Sequence, residues 1–505
     1  MLFILLLAAL CATAPAAKVY DTYDDPHTWV NRTVMVHLFE WKWTDIAREC
    51  EEFLQYYGYG AVQISPPMEH LTLVKNGDLP WWVRYQPVSY KLNSRSGTEA
   101  EFADMVNRCN KVGVRIIVDT IMNHMTGVNQ RKGVNSVGSS GSSDFDATDG
   151  VESFPAVPYT KDNFNDGKCH RNINSNDYNC CANNVRNCRL VGLLDLDQSQ
   201  TYVQEKLVGY LNHFIELGVA GFRLDASKHM WPDQLKVIID KVDNLRSDIF
   251  GNNQRPMFIH EVTDRSGTES VKCSEFTGIG RYTDFSYGMI VSYAAKRQNK
   301  GFGDLRWWGP GYGYGNLADT DVLAFIDNHD DQRDGTPVVT YKNGDQYAMS
   351  VGFMLGWGYG FPRVMSSYYF SYSDQGPPSY GQSSGFATKS QEFNSDKTCT
   401  RSSGWVCEHR WYAIRGMARF MSEAGEAPID AVVSENNRLA FARSGKGFFA
   451  LNNGNGIWSL NTATTLPAGT YCDVWTGELQ NGACTGTSVT VGSDGNALIV
   501  DHQFL

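Results

Sequence analysis

Four ionisable side chains lie within seven residues of one short stretch: Arg223, Asp225, Lys228 and His229. The stretch follows a helical apolar pattern over 203–217, and Gly218 is the expected end of that helix. Residues 219–225 then have the pattern of a buried parallel strand, which places the charges at its carboxyl end. Carboxylate, ammonium and imidazole groups at such an end can act as nucleophiles, acids or bases. The alternative is an ordinary buried strand capped by a solvated ion pair.

Strand and helix patterns alternate along roughly the first 400 residues. Predicted strands cover 33–38, 60–65, 114–119, 219–225, 257–261 and 322–327, and predicted helices cover 43–57 and 99–110. Such alternation predicts parallel strands, and polar residues at the strand ends favour a closed barrel over an open sheet. We therefore predict an α/β fold built on a (β/α)8 TIM barrel.

The intervals between strand ends support the barrel, because eight units in ~250 residues advance about 31 residues per unit. Asp225 and Glu261 are one such step apart, and Asp330 lies two steps beyond Glu261. The interval from Asp119 to Asp225 is longer than one unit by roughly 70 residues. A loop-rich inserted domain after the third strand is therefore expected over the Gly-, Ser- and Asn-rich residues 125–195.

The remaining chain divides into three further parts. Residues 1–17 have the short apolar run and small residues of a secretory signal peptide, which predicts an extracellular protein. The barrel is expected over 18–124 and 196–426. From residue 427 to 505, short apolar runs separated by turn residues predict an antiparallel β-sandwich domain without catalytic residues.

Composition narrows the possible partners. The formal net charge of −11 disfavours binding to nucleic acid, and a neutral substrate fits it better. No later segment supplies the roughly 20 apolar residues of a membrane span. The 13 Trp and 25 Tyr residues are a weak indication of sugar binding, because flat rings hold the apolar faces of sugars.

Eleven cysteines remain once a signal peptide containing Cys11 is removed. They form no Cys-x-x-Cys pair of the zinc type, so disulfides are expected. Short separations suit Cys399 with Cys407 and Cys472 with Cys484, and Cys50 with Cys109 would join two successive helices. Which of Cys180, Cys181 and Cys273 is the unpaired thiol stays open.

The polar strand ends occur within four motifs: DTIMNH at 119–124, GFRLDASKH at 221–229, HEV at 260–262 and FIDNHD at 325–330. Together these motifs resemble the four sequence regions of the α-amylase family. The resemblance extends over nearly the whole chain after residue 17 and is greatest to the secreted enzymes of animals.

The resemblance implies a role for each carboxylate at the barrel mouth. Asp225 resembles the nucleophile, Glu261 the acid that later acts as base, and Asp330 a third carboxylate that holds sugar hydroxyls. Cleaving an acetal with retention needs a proton donor and a carboxylate nucleophile about 5–5.5 Å apart. Arg223 lies on the same face of its strand as Asp225, where its charge favours the ionised carboxylate.

Further residues follow from the same resemblance. The implied substrate contacts are Trp81, Trp82, Tyr85, Gln86, His124, Lys228, His229 and His329. A structural calcium ion is implied at Asn123, Asp195 and the backbone oxygens of Arg186 and His229, and an activating chloride ion at Arg223, Asn328 and Arg363. The expected disulfides are Cys50–Cys109, Cys169–Cys188, Cys399–Cys407 and Cys472–Cys484. His37 is expected to be a hydrogen-bonded core residue.

These observations lead to one functional hypothesis and two alternatives. We expect endo-acting hydrolysis of internal α-1,4 bonds with retention, by a monomer acting on starch, glycogen and malto-oligosaccharides. The first alternative is an α-glucosidase or transglycosylase on the same fold. The second is a catalytically inactive relative that only binds carbohydrate.

Overall fold

The computed structural model describes residues 21–30, 32–309 and 317–501. Within them, eight parallel strands close into a barrel. In chain order these strands are β1 Val34–Leu38, β2 Tyr59–Ile64, β3 Arg115–Ile121, β4 Gly221–Asp225, β5 Met257–His260, β6 Arg281–Thr283, β7 Val322–Ala324 and β8 Phe361–Ser366. The predicted (β/α)8 barrel is confirmed.

Each barrel strand pairs with its neighbours in chain order, and β8 pairs with β1 to close the ring. The register places Arg223 of β4 beside Asp119 of β3 and Ile259 of β5. At Gly221 the two backbones approach so closely that a Cβ atom would lie 2.4 Å from the Met257 backbone oxygen. Glycine is therefore needed there, and the tight pairing brings the polar ends of β3, β4 and β5 to one mouth.

Helices surround the barrel. They are α1 Trp43–Glu52, α2 Glu99–Lys111, α3 Asp177–Cys180, α4 Ala182–Asn187, α5 Thr201–Leu217, α6 Pro232–Lys241, α7 Ser247–Phe250, α8 Phe285–Ala295, α9 Asp345–Trp357 and α10 Tyr412–Ala424. Helix α5 ends at Gly218, which has a left-handed φ of 99°, as predicted. Helix α1 ends five residues before the predicted end because Phe53 leaves the helical conformation.

The inserted domain lies between β3 and α5. Two short antiparallel strands, His124–Gly127 and Leu193–Asp195, form its base and pair His124 with Asp195. Helices α3 and α4 and several single turns of 3-10 helix make up the rest, so the segment is as loop-rich as its composition predicts.

The C-terminal region contains two larger antiparallel sheets and a two-stranded antiparallel ribbon of Leu479–Gln480 with Ala483–Cys484. The first is formed by β9 Ile429–Glu435, β10 Arg438–Arg443 and β11 Gly447–Asn452. The second contains β12 Trp458–Ala463, β13 Gly469–Cys472, β14 Ser488–Val491 and β15 Asn496–Asp501, in the spatial order β12, β15, β14, β13. The predicted antiparallel domain is confirmed.

Two predictions concern a signal peptide and membrane-spanning segments. The predicted signal peptide at 1–17 lies outside the described residues. Among the residues that are described, no helix has the length and apolar character needed to cross a membrane.

Candidate active site

The carboxyl ends of the barrel strands open into a cleft of about 530 Å³. The inserted domain contributes to its wall through Gly127, Val128 and residues 190–193. All of the predicted catalytic and substrate-contacting residues line this cleft: Asp225, Glu261, Asp330, Trp81, Trp82, Tyr85, Gln86, His124, Lys228, His229 and His329. The fold thus brings together residues from widely separated parts of the sequence.

The Arg223 guanidinium connects the carboxylates at the base of the cleft. Its Nη1 donates to Asp119 Oδ1 at 2.6 Å and to Asp225 Oδ1 at 2.7 Å, and its Nη2 donates to Glu261 Oε1. The other Glu261 oxygen accepts the backbone N–H of Ala226 at 2.7 Å. A rigid planar group therefore fixes Asp225 and Glu261 relative to each other.

The electrostatics of the carboxylates follow from burial and crowding. Burial raises the pKa of Asp225 well above its usual range; Arg223 opposes the rise, and Glu261 adds to it. Burial and the nearby Glu261 raise the pKa of Asp330 to about 7. Like charges crowded around one guanidinium favour protonation, whereas the attraction of Arg223 favours the ionised Asp225 that a nucleophile needs.

The backbone after β4 positions the catalytic carboxylates. Ala226 has a φ of 52°, in the left-handed region, and the chain then makes a single 3-10 turn over Ser227–His229. This turn directs the Lys228 N–H to the backbone oxygen of Glu261 at 3.0 Å, while the Glu261 N–H donates to Leu224 at 3.1 Å. The loops after β4 and β5 are therefore tied together directly beneath the cleft.

Asp330 is positioned by the loop after β7. The Asn328 side-chain oxygen accepts the backbone N–H groups of Asp330 at 3.0 Å and Asp331 at 2.7 Å. This is the side-chain turn that Asn commonly makes, and it holds the Asp330 carboxylate at the mouth.

Aromatic rings line the cleft beside the carboxylates. The 3-10 helix Trp81–Tyr85 presents them, with Trp81 Nε1 bonded to the Ser373 backbone oxygen at 2.8 Å and Trp82 Nε1 bonded to Asp374 at 3.1 Å. Tyr85 donates its hydroxyl to Asp119 at 3.0 Å. Fixed indole and phenol rings of this kind provide flat apolar surfaces for sugar rings.

Three histidines in the cleft are held in their neutral form. Burial lowers the pKa of both His124 and His229 to about 4. Burial also lowers the pKa of His329 well below its usual range, and the charge of Arg223 adds to the effect. His124 Nε2 lies 2.8 Å from the Tyr85 backbone oxygen, and His229 Nδ1 lies 2.9 Å from that of Val185. Neutral imidazoles can both donate and accept hydrogen bonds with sugar hydroxyls.

Lys228 lines the cleft, but its ammonium group already has protein partners. Nζ donates to the Thr263 backbone oxygen at 2.6 Å and to Glu269, and it lies 4.8 Å from the centre of the Tyr178 ring. A sugar hydroxyl would share the Lys228 ammonium group with Glu269. Because Thr263 and Glu269 lie in the loop after β5, Lys228 also orders that loop.

Comparison with known proteins identifies the family. Residues 76–297 match the alpha amylase catalytic domain, and residues 429–503 match the alpha amylase C-terminal all-beta domain. Pancreatic alpha-amylase 2a5 of Mus musculus is 46% identical over 490 residues, covering 94% of this chain and 92% of the mouse protein. The chain belongs to the alpha-amylase family.

Other alpha-amylases agree in sequence and in fold. The alpha-amylase of Pecten maximus is 45% identical over 501 residues, covering 98% of this chain and 94% of the scallop protein. The crystal structure of alpha-amylase I from Eisenia fetida superposes with a TM-score of 0.85 at 37% identity, covering 97% of this chain and all of that one. This alpha-amylase is a glycoside hydrolase of starch-type substrates.

The residues implied for calcium binding include two buried side-chain oxygens without hydrogen-bond partners among the described residues. Asn123 Oδ1 and Asp195 Oδ1 are buried and accept no hydrogen bond from the described part of the chain. The His229 ring nitrogen Nδ1 lies 2.9 Å from the backbone oxygen of Val185, the residue before Arg186, so these two segments meet. The unsatisfied oxygens of Asn123 and Asp195 suit a hard cation such as calcium.

Sequence reasoning missed Asn165 at this site. Its Nδ2 donates to Asp195 Oδ2 at 2.7 Å, and its buried Oδ1 has no hydrogen-bond partner among the residues the structure describes. Asn165 lies in an Asn- and Asp-rich loop without periodicity, so no sequence signal separates it from its neighbours.

The residues implied for chloride binding include two buried arginines inside the barrel, Arg223 and Arg363. Burial and the nearby positive charge of Arg223 lower the pKa of Arg363 to about 10. The buried Arg223 Nε has no acceptor within the described residues, and Asn328 lies at the adjacent strand end. Two crowded guanidinium groups and an unused donor fit a small anion.

His37 corrects one prediction. It lies on β1 and is fully buried, yet neither of its ring nitrogens has a hydrogen-bond partner in the described chain. Burial and the positive charges of Arg363 and Arg223 lower its pKa well below the ordinary value. The expectation of a hydrogen-bonded His37 was therefore wrong, because the ring packs against other rings, with Phe39 and His329 at centroid distances of 5.5 and 5.6 Å.

The alpha-amylase contains the four predicted disulfides, Cys50–Cys109, Cys169–Cys188, Cys399–Cys407 and Cys472–Cys484. A fifth joins the adjacent residues Cys180 and Cys181. Cys273 is buried and has no disulfide partner among the described residues, which answers the question that the sequence left open.

Proposed function

We propose that this alpha-amylase hydrolyses internal α-1,4-glucosidic bonds of starch and glycogen with retention of configuration. The observation that carries the proposal is the shared guanidinium of Arg223, which holds Asp225 and Glu261 side by side in the sugar-sized cleft. Retaining glycosidases use two such carboxyl groups, one as nucleophile and one as acid and base.

The reaction takes two steps. An Asp225 oxygen attacks the anomeric carbon while Glu261 gives its proton to the glycosidic oxygen, so the C–O bond breaks and the first product leaves. Glu261, now ionised, takes a proton from water, whose oxygen attacks the same carbon and displaces Asp225. The Asp330 carboxylate binds sugar hydroxyls and stabilises the positive charge that develops in both transition states.

Trp81, Trp82 and Tyr85 are proposed to stack on glucose rings, with Gln86 and the three neutral histidines contacting hydroxyls. A mutant of the Eisenia alpha-amylase was solved with maltohexaose, which supports malto-oligosaccharides as ligands of this chain. The presence of Asp225 and Glu261 in the cleft speaks against an inactive, purely sugar-binding relative.

The mode of cleavage is tested by product analysis on soluble starch. We expect viscosity to fall early, while few reducing ends have formed, and oligosaccharides to precede glucose. Endo cleavage shortens the polymer at every event, whereas an α-glucosidase on the same fold would release only glucose. Early glucose with unchanged viscosity, or products longer than a short oligosaccharide substrate, would favour the glucosidase or transglycosylase alternative.

We also propose that the protein is secreted after removal of residues 1–17 and acts as a monomer. Its disulfides are consistent with an oxidising compartment. The proposed organisation is a barrel over 18–124 and 196–426, an inserted domain over 125–195 and a β-sandwich over 427–505.

A calcium ion is proposed at Asn123, Asp195 and the backbone oxygens of Arg186 and His229, with Asn165 beside them. When bound, calcium supplies the positive charge that holds the inserted domain against the barrel. Burial raises the pKa of Asp195 well above its usual range, so the empty site would favour a protonated Asp195.

A chloride ion is proposed at Arg223, Asn328 and Arg363. When bound, chloride supplies a negative charge that competes with Glu261 for the Arg223 guanidinium. Glu261 accepts one hydrogen bond from Arg223 and one from the Ala226 backbone N–H. Weakening the bond from Arg223 lets Glu261 carry the proton that the first step requires.

Chloride activation gives a prediction for the pH dependence. In chloride-free buffer the alkaline limb of the pH-rate profile should move to lower pH, because the positive charge of Arg223 then acts on Glu261 without a competing anion. Roughly tenfold lower activity near neutral pH corresponds to a change of about 1.4 kcal/mol in that balance. Arg363→Gln should lose the response to chloride, and identical wild-type profiles with and without the salt would contradict the site.

A further inference from the structure

A second acidic cluster lies at the opposite end of the barrel from the cleft. Asp21 and Asp24 belong to the segment before β1, and Asp321 directly precedes β7. One carboxylate oxygen from each of the three lies within 4.8 Å of the others. We propose that these three aspartates bind a calcium ion that fastens the N-terminal segment to the base of the barrel.

Asp24 supplies the independent observation. It has 0% exposure, and neither of its carboxylate oxygens has a hydrogen-bond partner among the residues that the structure describes. Burial raises its pKa to about 7; Arg281 opposes the rise, and Asp321 and Asp21 add to it. A buried carboxylate is normally paired, protonated or coordinated to a metal, and two further carboxylates beside it favour the metal.

The N-terminal segment is held in place by backbone contacts as well. The Tyr23 backbone oxygen accepts the N–H of Phe258 in β5 at 3.0 Å. The Asp24 backbone oxygen accepts the Nε–H of Arg281 at 2.8 Å. The Asp24 N–H donates back to the Asp21 backbone oxygen at 3.1 Å, so the two residues form one turn. These bonds fix the backbone that carries Asp21 and Asp24 against the barrel.

Arg281 alone does not balance the charge of the cluster. Its Nη1 donates to the backbone oxygens of Asp319 at 3.1 Å and Val322 at 3.0 Å, so the guanidinium links β6 to the start of β7. Among the described residues, three carboxylates lie beside this one guanidinium, so the cluster is short of positive charge when they are ionised. A divalent cation would supply that charge.

Coordination number favours calcium over magnesium. Calcium accepts six to eight oxygens at about 2.3–2.6 Å in flexible geometry. Magnesium requires about 2.0–2.1 Å and near-octahedral geometry. Asp21 is exposed, which leaves room for water to complete a coordination shell of six to eight oxygens.

The remaining acidic cluster of the described chain offers a contrast. It contains Asp149, Asp166 and His170, but Arg189 already donates to both aspartates, at 2.6 Å to Asp149. That cluster is neutralised by an arginine within hydrogen-bond distance, so we assign it no cation.

The first test counts calcium in the purified full-length enzyme after equilibration with the ion. Asp24→Asn and Asp321→Asn should each hold one calcium fewer per chain than the wild type. Asp25→Asn changes a neighbouring aspartate outside the cluster and should hold as many as the wild type. Asp195→Asn changes the calcium site beside the cleft, so the calcium counts of the variants report on the two sites separately. Equal counts in the wild type, Asp24→Asn and Asp321→Asn would overturn the proposal.

The second test measures thermal unfolding and does not depend on counting. Without calcium, Asp24→Asn should be at least as stable as the wild type, because it removes a buried charge. With calcium, the wild type should gain more in Tm than the variant does, and magnesium should not replace calcium. A Tm difference that is the same with and without calcium, or the same gain with magnesium, would contradict the assignment.

Discussion

Replacing Glu261 with glutamine should lower kcat on starch by about 10²–10⁴-fold, the usual contribution of general acid and base catalysis. Glutamine has nearly the same shape, and its amide oxygen can still accept a hydrogen bond from Arg223 or from the Ala226 N–H. The amide cannot give a proton to the departing oxygen or take one from water. The loss should therefore appear in kcat rather than in binding.

Maltohexaose binding by Glu261→Gln can be followed through the fluorescence of the cleft tryptophans, Trp81 and Trp82. We expect affinity within a few-fold of that of the wild type. Glu205→Gln removes the same charge from an exposed position on α5 and should keep the wild-type rate. A Glu261→Gln enzyme with more than a tenth of wild-type kcat would rule out Glu261 as the proton donor.

Replacing Asp225 with asparagine should have the largest effect of all, a loss of at least about 10⁴-fold in kcat, as expected when a nucleophile is removed. The amide is a far weaker nucleophile than the carboxylate. Folding should be preserved, because Arg223 keeps its bonds to Asp119 and Glu261 and the substitution removes a buried charge.

The measurement is pre-steady-state cleavage, with substrate in excess over enzyme, of a malto-oligosaccharide that carries a good leaving group. In Asp225→Asn no burst of leaving group should precede the steady state, since no glycosyl-enzyme forms. Asp78→Asn changes an aspartate outside the Arg223 cluster, whose carboxylate accepts the Gly376 N–H at 2.8 Å, and this variant should retain cleavage. A burst of normal amplitude in Asp225→Asn would show that another group attacks the sugar.

The candidate site residues were predictable because parallel strands end at one mouth. Asp225 is the last residue of β4, and Glu261 and Asp330 follow β5 and β7, at spacings that match a repeating strand and helix unit. Each of these three strands was predicted to be longer than the segment that pairs with its neighbours in the barrel. For β7 the apolar pattern continues to Ile326, but pairing stops at Ala324, where the chain leaves the barrel for the Asn328 turn.

The parts that sequence could not supply depend on contacts between distant residues. The bonds from Arg223 to Asp119 and Glu261 arise from the register of neighbouring strands. The buried Asp24 is one of many aspartates in the sequence, and only the folded chain shows that it lies beside Asp321 without a hydrogen bond from any described residue. Pairing of Cys180 with Cys181 could not be derived from counting cysteines.

The most direct test of the central claim is to identify the residue that becomes glycosylated. A fluorinated maltosyl fluoride forms the glycosyl-enzyme quickly and hydrolyses slowly, and proteolysis with mass spectrometry then locates the sugar. We predict one maltosyl group per chain, on Asp225, lost again when the enzyme is left in buffer. A sugar attached to any other residue, or turnover without a trapped intermediate in both the wild type and Glu261→Gln, would contradict a retaining mechanism through Asp225.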